Sequence, residues 1–532
     1  MTSKDDQLHV FFFPMMAHGH MIPTLDMAKL FASRHGVKST IITTPLNVPS
    51  ISKAIHKHKQ SGFQIEVRSL YFPGVEAGLP EGVQHFDHFT SDGSTFPSFF
   101  KACSMLQEPL EQLMAELRPD CLVADVFFPW ATKAAAKFGI PRLIFDGTSY
   151  LSVCAKHSLL TYRPFEDISS EDSSESTFTI PHLPHQLKLN RSQLAPYERD
   201  LSFSSTMAEF GLQVMEAERT SYGVIFNSFY ELEPDYADHF KNVLGRRGWS
   251  VGPLSLQNKD EDEIGEKSHR GRKASIGEKD CIEWLHSKKP NSVVYVCFGS
   301  MANFAASQLT EMAEGIESSG QDFIWVIRNK NAGKEIGEEK GEEEWMPEGF
   351  EDRTEGRGLI IRGWAPQVLI LDHRAVGAFV THCGWNSTLE AVCAGVPMVT
   401  WPLFAEQFVN EKLVTEILLT GVGVGSKVWA NVGSDGVKRE AIAEAIKRVM
   451  VGEESEEMRR RAAALKVNAR KAVEEGGSSY SGLTSLLDEL KMIRADRLGS
   501  SSHKAVVSNG PGGACMAHAW PNHLCDRKVV PP

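Results

Sequence analysis

Apolar and polar positions along this chain follow two periods, one of strands and one of helices. Leu8–Phe13 is a short, almost wholly apolar run, the pattern of a strand buried on both faces. Pro23 suits a first helical turn, and Leu25, Ala28, Lys29 and Ala32 follow at helical spacing, with only the lysine interrupting the apolar face. Gly36 ends that predicted helix. Further strands are predicted at Ser39–Thr43, Cys121–Ala124 and Leu143–Phe145. The second half begins again with Val293–Phe298, then Phe323–Ile327, Leu359–Ile361, Ala378–Thr381 and Pro397–Thr400, with helices between them. Strand–helix–strand alternation in both halves predicts an α/β fold of two Rossmann-like, doubly wound parallel sheets.

Polar stretches divide the chain. Residues 1–250 read as an N-terminal domain, and 251–275 as a linker rich in charge and glycine. Residues 276–465 read as a second domain, and 466–497 as C-terminal helices broken at Gly476-Gly477. From 498 to 532 the composition turns to Ser, Gly, Pro and His, and a disordered tail is expected. Residues 165–178 and Lys334–Glu344 read as solvated loops. At 532 residues the chain exceeds what one core supports, in keeping with two domains.

A net charge of −12 argues against nucleic-acid binding, which needs basic surface. Nine scattered cysteines read as reduced thiols, the polar start MTSKDDQ carries no leader pattern, and no apolar run approaches the ~20 residues of a membrane helix. A cytoplasmic chain, monomeric and without an integral membrane segment, is expected. The sequons at Asn190 and Asn386 then carry no meaning.

The candidate chemistry is concentrated in the 44 residues from Trp364 to Gln407. There the strand Ala378–Thr381 runs into a turn, His382-Cys383-Gly384-Trp385, which opens a helix at Asn386-Ser387-Thr388. Unpaired N–H groups and a partial positive charge at a helix start hold anions without a metal. Around that start stand a histidine, an aromatic ring at each end, two glutamines and two acids. This set suits a pyrophosphate, a base, a ribose and a sugar.

The segment resembles the donor signature of the plant UDP-glycosyltransferases that act on small molecules. It matches at Trp364, Gln367, His382, Gly384-Trp385-Asn386-Ser387, Glu390, Pro402, Glu406 and Gln407. The resemblance runs from the start of the chain to about residue 490. FPMMAHGHMIPTLDMAKL is similar to the subgroup that glucosylates phenolics and triterpenoids. It implies two domains facing across a cleft (the GT-B arrangement) and an inverting, metal-independent transfer of a sugar, glucose above others, from a UDP-sugar. The acceptor it implies is a hydroxyl of a flavonoid, coumarin, other phenolic or triterpenoid. No other cofactor is implied; the partners are the UDP-sugar and a small acceptor.

Two ionisable side chains stand at carboxyl ends of strands, where open parallel sheets bind ligands. His20 follows the first strand and Asp125 follows Cys121–Ala124. A neutral histidine can take the proton of a hydroxyl while a nearby aspartate orients the ring. The resemblance assigns His20 as general base and Asp125 as its partner. The bland alternative is that each caps a helix, and His18 is a rival base. By resemblance Trp364 stacks on uracil with Ala365 backbone beside it, and Gln367 and Glu390 meet the ribose. His382, Gly384, Asn386, Ser387 and Ser300 meet the diphosphate, and Trp385, Glu406 and Gln407 lie by the sugar. Against these stand a core role for Trp364 and a capping box, Ser387-x-x-Glu390.

Phe127, Phe128 and Trp130 suit either an acceptor pocket or ordinary core, and Phe86, Phe89, Phe96 and Phe99 are equally open. Three patterns are set aside. Asp260-Glu261-Asp262 reads as solvated charge. Gly421–Gly425 lacks the full dinucleotide fingerprint. Cys515, His518, His523 and Cys525 fit no zinc spacing. The competing functions are an NAD(P)-dependent oxidoreductase and a non-catalytic sugar-nucleotide-binding protein.

Overall fold

Alternation along β1 (Leu8–Phe13) decides two cores at once. Leu8, Val10 and Phe12 enter one buried cluster, and Phe11 and Phe13 enter another on the opposite face. In chain order β2 (Val37–Thr43), β3 (Ile65–Ser69), β4 (Cys121–Asp125) and β5 (Arg142–Phe145) follow. A small antiparallel hairpin, β6 (Thr177–Thr179) with β7 (Lys188–Asn190), precedes β8 (Gly223–Phe226) and β9 (Gly248–Ser250). All but the hairpin form one parallel sheet in the order β3-β2-β1-β4-β5-β8-β9.

A second parallel sheet is built from β10 (Val293–Cys297), β12 (Asp322–Ile327), β13 (Gly358–Arg362), β14 (Val376–Thr381), β15 (Met398–Thr400) and β16 (Gly421–Gly423). Its order is β13-β12-β10-β14-β15-β16; β11 (Asn303–Phe304) and β17 (Val432–Gly433) pair separately. Both sheets wind outward from their first strand and reverse between the first and fourth. Their switch points are therefore β1/β4 and β10/β14, where doubly wound sheets bind ligands. The computed structural model describes residues 7–86, 95–166, 176–199, 206–257, 274–327, 345–430, 432–433 and 436–507. Asp260–Asp262, Lys334–Glu344, Phe89 and the Cys515–Cys525 group lie outside them.

Every strand expected from the apolar runs is present; β3, β8, β9 and β16 are additional in the two large sheets, and the small pairs β6–β7 and β11–β17 are additional outside them. The glycine-rich segment at 421 makes an edge strand because a Cβ at Gly421 would lie 2.5 Å from the Met398 carbonyl oxygen. The first helix departs from expectation. It runs His18–Ala32, so Pro23 is its sixth residue and lies inside it. Proline has no N–H, so the helix leaves the Gly19 carbonyl unclaimed. Asn386 Nδ2 from the second lobe donates to that oxygen at 2.7 Å.

Three helices close the described chain: Arg439–Val451, Ser455–Val473 and Ser478–Val507. Gly476 (φ +84°) and Gly477 make the last break, and a Cβ at Gly477 would lie 2.1 Å from the Lys471 carbonyl oxygen. The final helix returns to the N-terminal lobe, burying Leu483, Leu486, Leu487 and Leu490 in the cluster that holds Val10 and Phe12. Arg494 and Arg497 both pair with Asp120, the former at 3.1 Å. That helix extends to Val507, past residue 498, where composition predicted structure to stop. No helix among the described residues is long and apolar enough to cross a membrane. Among the described residues the seven cysteines, all buried, are free thiols.

Candidate active site

The two switch points face each other. From the N-terminal lobe come His20, in the first turn of the helix after β1, and Asp125, the last residue of β4. His20 Nδ1 lies 2.8 Å from Asp125 Oδ2, with side chains 24% and 0% exposed. The other carboxylate oxygen, Oδ1, accepts from the Phe127 N–H at 3.1 Å. An ionised aspartate only accepts, so Nδ1 carries the proton and Nε2 is left as the basic nitrogen. Burial pulls the His20 pKa down, but the charge of Asp125 and its hydrogen bond, helped by Asp146 and Glu406, outweigh it, and the net shift is upward.

Neither residue is a helix cap. Ala17 holds the N-cap position of the first helix, which has no side-chain cap, and the helix after Asp125 begins at Ala131. The His18 ring lies 4.3 Å from that of His85 and 5.6 Å from that of Trp364, between centroids. Behind Asp125, the buried Arg142 guanidinium donates to the Asp125 carbonyl at 2.8 Å and to Thr132 Oγ1 at 2.8 Å.

From the second lobe comes the turn after β14. Its helix is Trp385–Ala394, with Gly384 at the N-cap and no side-chain cap. Ser387 therefore sits inside the first turn, and Glu390 accepts from Gln367 Nε2 at 2.8 Å rather than closing a capping box. Gln367 Nε2 also donates to Ser387 Oγ at 3.1 Å. The His382 ring is held between two glycines. A Cβ at Gly299 would lie 2.8 Å from its Cε1, and one at Gly384 would lie 2.4 Å from its Nε2. Burial lowers the His382 pKa to about 4, so the ring is neutral at pH 7. Its Nδ1 has no hydrogen-bond partner among the described residues. Ser300 follows Gly299 in the turn after β10.

Trp364 is half-buried rather than core, and its loop is clamped by Ser275, whose Oγ accepts from Trp364 N at 2.9 Å. Ala365 is buried, its carbonyl engaged by Gln367 N at 2.9 Å. The Trp385 side chain does not enter the cleft. It is buried at the seam between the lobes, where its indole N–H donates to the Asn227 carbonyl at 2.8 Å. Gln407 Oε1 accepts from Leu403 N at 2.9 Å and Phe404 N at 3.1 Å, so its amide oxygen is spent on the turn. Glu406 faces the cleft with its pKa raised, by burial first and by Asp146 in addition.

Residues 263–460 match the family model for UDP-glucoronosyl and UDP-glucosyl transferase. Scopoletin glucosyltransferase of Nicotiana tabacum is 60% identical over 484 residues, covering 91% of this chain and 98% of that protein. The chain belongs to the plant UDP-glycosyltransferases. Anthocyanin 3'-O-beta-glucosyltransferase of Gentiana triflora is 54% identical over 489 residues, 91% of this chain and 98% of its own length. A Glycyrrhiza uralensis UGT crystallised with glycyrrhetinic acid 3-O-monoglucuronide superposes with a TM-score of 0.84 at 41% identity, covering 94% of this chain and 99% of that one. A Medicago truncatula UGT complexed with UDP-glucose gives 0.73 at 26% identity, covering 92% and 100%. The two-lobed arrangement is the GT-B fold, and the chain is a UDP-glycosyltransferase.

Beside His20 of this glycosyltransferase, the aromatic residues after Asp125 separate into two groups. Phe127 stands edge-on to His20 at 5.4 Å, near Phe100 at 5.8 Å and Phe210 at 6.1 Å. Phe128 is fully buried and stacks on Phe13 at 4.2 Å, so it is core, and half-buried Trp130 packs against both. Phe99 is core as well, while Phe86 stacks on Phe96 at 5.1 Å. Sequence reasoning missed Phe100, Phe210 and Asp146. Asp146 directly follows β5, whose Phe145 is in register with Asp125, so it was findable by the strand-end rule that found Asp125.

Proposed function

We propose that this enzyme transfers glucose from UDP-glucose to a hydroxyl of a phenolic or triterpenoid acceptor, with inversion, giving a β-O-glycoside. The observation that carries the proposal is the His20–Asp125 pair held against the donor helix start by the Asn386–Gly19 bond. His20 Nε2 takes the acceptor proton as the acceptor oxygen bonds to the anomeric carbon. The bond from that carbon to the diphosphate breaks, and UDP leaves. One displacement inverts an α-linked donor, without a covalent carboxylate intermediate. Asp125 keeps the ring in the productive tautomer and stabilises the imidazolium.

The leaving diphosphate is met by the N–H groups of the helix start, neutral His382, Asn386, Ser387 and Ser300, which offer donors where negative charge develops. These donors supply the stabilisation in place of a metal ion. Trp364 stacks on uracil, Gln367 and Glu390 exchange their mutual bond for ribose hydroxyls, and Glu406 with the Gln407 nitrogen holds the sugar. Phe127, Phe100 and Phe210 form the apolar wall for a flat acceptor beside the base. The names of the relatives support this acceptor class: one glucosylates scopoletin and another an anthocyanin. Buried thiols and the absence of a membrane-crossing helix among the described residues support a cytoplasmic enzyme, which we take to act as a monomer.

The test is an acceptor panel of flavonoids, coumarins and triterpenoids incubated with UDP-glucose and read by product mass and anomeric configuration. A β-glucoside with at least one class is the expected result. No glucoside with any of them, or an α-linked product, would refute the proposal.

A further inference from the structure

We infer that Asn410, three residues past the donor signature, is a positioning residue that sets the donor sugar against the base. This rests on the transferase reading above. Asn410 is 0% exposed, and every polar atom of its side chain is engaged. Its Nδ2 donates to the Cys383 carbonyl at 2.9 Å and to Glu406 Oε1 at 3.3 Å. A backbone carbonyl can only accept, so the Cys383 contact fixes the orientation of the amide. Its Oδ1 accepts from Ser152 Oγ at 2.9 Å and faces Ser149 Oγ at 3.3 Å.

Ser149 Oγ and Ser152 Oγ are themselves 2.8 Å apart, and each hydroxyl has one proton. The bonds therefore run in one direction: Ser149 to Ser152, Ser152 to Asn410, Asn410 to Cys383 and Glu406. The two ends of this relay lie on different lobes. Cys383 lies between His382 and Gly384 in the diphosphate turn, with a left-handed backbone at φ +63° that its fixed carbonyl helps hold. Glu406 is the acid facing the sugar. Ser149 caps the helix Tyr150–Tyr162, two residues beyond Gly147, where a Cβ would lie 3.8 Å from His20 Nδ1.

The serine end is rigid in turn. Buried Glu233 accepts from Tyr150 N at 3.1 Å, Leu151 N at 2.9 Å and Ser228 Oγ at 2.6 Å. One buried amide thus ties the diphosphate turn and the sugar acid of one lobe to the element of the other lobe that adjoins the base. A displacement reaction is sensitive to sub-ångström errors in that placement. Removing the amide leaves uracil and ribose binding at Trp364, Gln367 and Glu390 in place while freeing Glu406. The larger effect falls on transfer of the sugar, and the smaller, through the Cys383 turn, on capture of UDP.

The experiment compares the full chain with Asn410→Ala, Asn410→Asp and the pair Ser149→Ala/Ser152→Ala. It measures kcat/KM for UDP-glucose, with an acceptor the wild type glucosylates, and inhibition by UDP, which lacks the sugar. Asn410→Ala is expected to lower kcat/KM by about tenfold or more. Asn410→Asp keeps the serine contact but sets a second carboxylate against Glu406, so it is expected to lose at least as much. The serine pair is expected to lose about threefold or more. In each variant the loss should exceed the weakening of UDP inhibition by about threefold or more. A smaller gap, with transfer and UDP binding falling together or neither falling, would overturn the assignment. If the alanine variant does not fold, the serine pair decides by the same comparison. Failure of the wild type to turn over any acceptor would refute the transferase reading itself and this role with it.

Discussion

His20 is tuned by what its Nδ1 contacts. The Asp125 carboxylate raises the imidazole pKa above its ordinary 6.5, against the pull of burial. A general base works only when deprotonated, so kcat/KM should fall as pH drops through that raised value. Asp125→Asn removes the charge. The acid limb should then move to lower pH while the plateau falls by roughly 10²–10⁴-fold, because an amide can donate to Nδ1 and favour the wrong tautomer. His20→Ala should lower kcat by a similar ~10²–10⁴-fold and leave UDP inhibition intact. An acid limb unmoved in Asp125→Asn would mean that another group is the base. Gly384→Ala makes the opposite prediction for UDP. Its Cβ would sit 2.4 Å from His382 Nε2, so the ring must move out of the diphosphate turn. Overpacking of this kind costs about 1–3 kcal/mol, and UDP inhibition should weaken by roughly tenfold or more.

The helix His18–Ala32 shows what can and cannot be seen in sequence at the scale of an element. Its spacing of Leu25, Ala28 and Ala32 was legible, and its start was not, because Pro23 reads as a first-turn residue when it is the sixth. The tolerance for that proline lies in the other lobe, where Asn386 takes the carbonyl the helix leaves open. Pro23→Ala would supply an N–H for Gly19 and compete with Asn386. A gained helical bond of about 1 kcal/mol and the loss of proline's ~0.4–1 kcal/mol effect on the unfolded chain nearly cancel. The melting temperature should barely move while kcat/KM drops severalfold. A drop in melting temperature matching the loss of activity would point instead to a plain folding defect. The donor segment was legible because its groups are contiguous and hang on one strand–turn–helix unit. Asn410 and Asn227 carry no spacing signal, because the partners that join them to the other lobe are far away in the chain, whereas Asp146 was within reach of the strand-end rule. Phe127 and Phe128 are neighbours in sequence but point to a cleft and to a core, a division that only the turn after β4 reveals.

At the scale of the whole molecule, the two lobes meet through polar bonds of known position. Trp385 donates to Asn227, and Asn227 Oδ1 also accepts from Leu254 N at 2.9 Å where the chain leaves the first lobe. Trp429 N donates to Ser192 O at 2.8 Å, and Ser192 Oγ to Lys427 O at 2.7 Å, at a second place along the seam. The final helix adds a hydrophobic strap onto the first lobe. The seam thus fixes the gap between His20 and the donor turn before any substrate arrives. Trp385→Phe tests that without touching a group that faces the cleft. It keeps an aromatic ring in the core but strands the Asn227 carbonyl, at a cost of about 1–3 kcal/mol. A loosened seam should raise KM for UDP-glucose and lower kcat together, each by a few-fold, because both donor capture and alignment depend on the gap. Small-angle scattering of the substrate-free variant should show a larger radius of gyration than the wild type, and saturating UDP should shrink the difference. If scattering is unchanged while activity falls, the indole acts locally on the diphosphate turn rather than through the separation of the lobes.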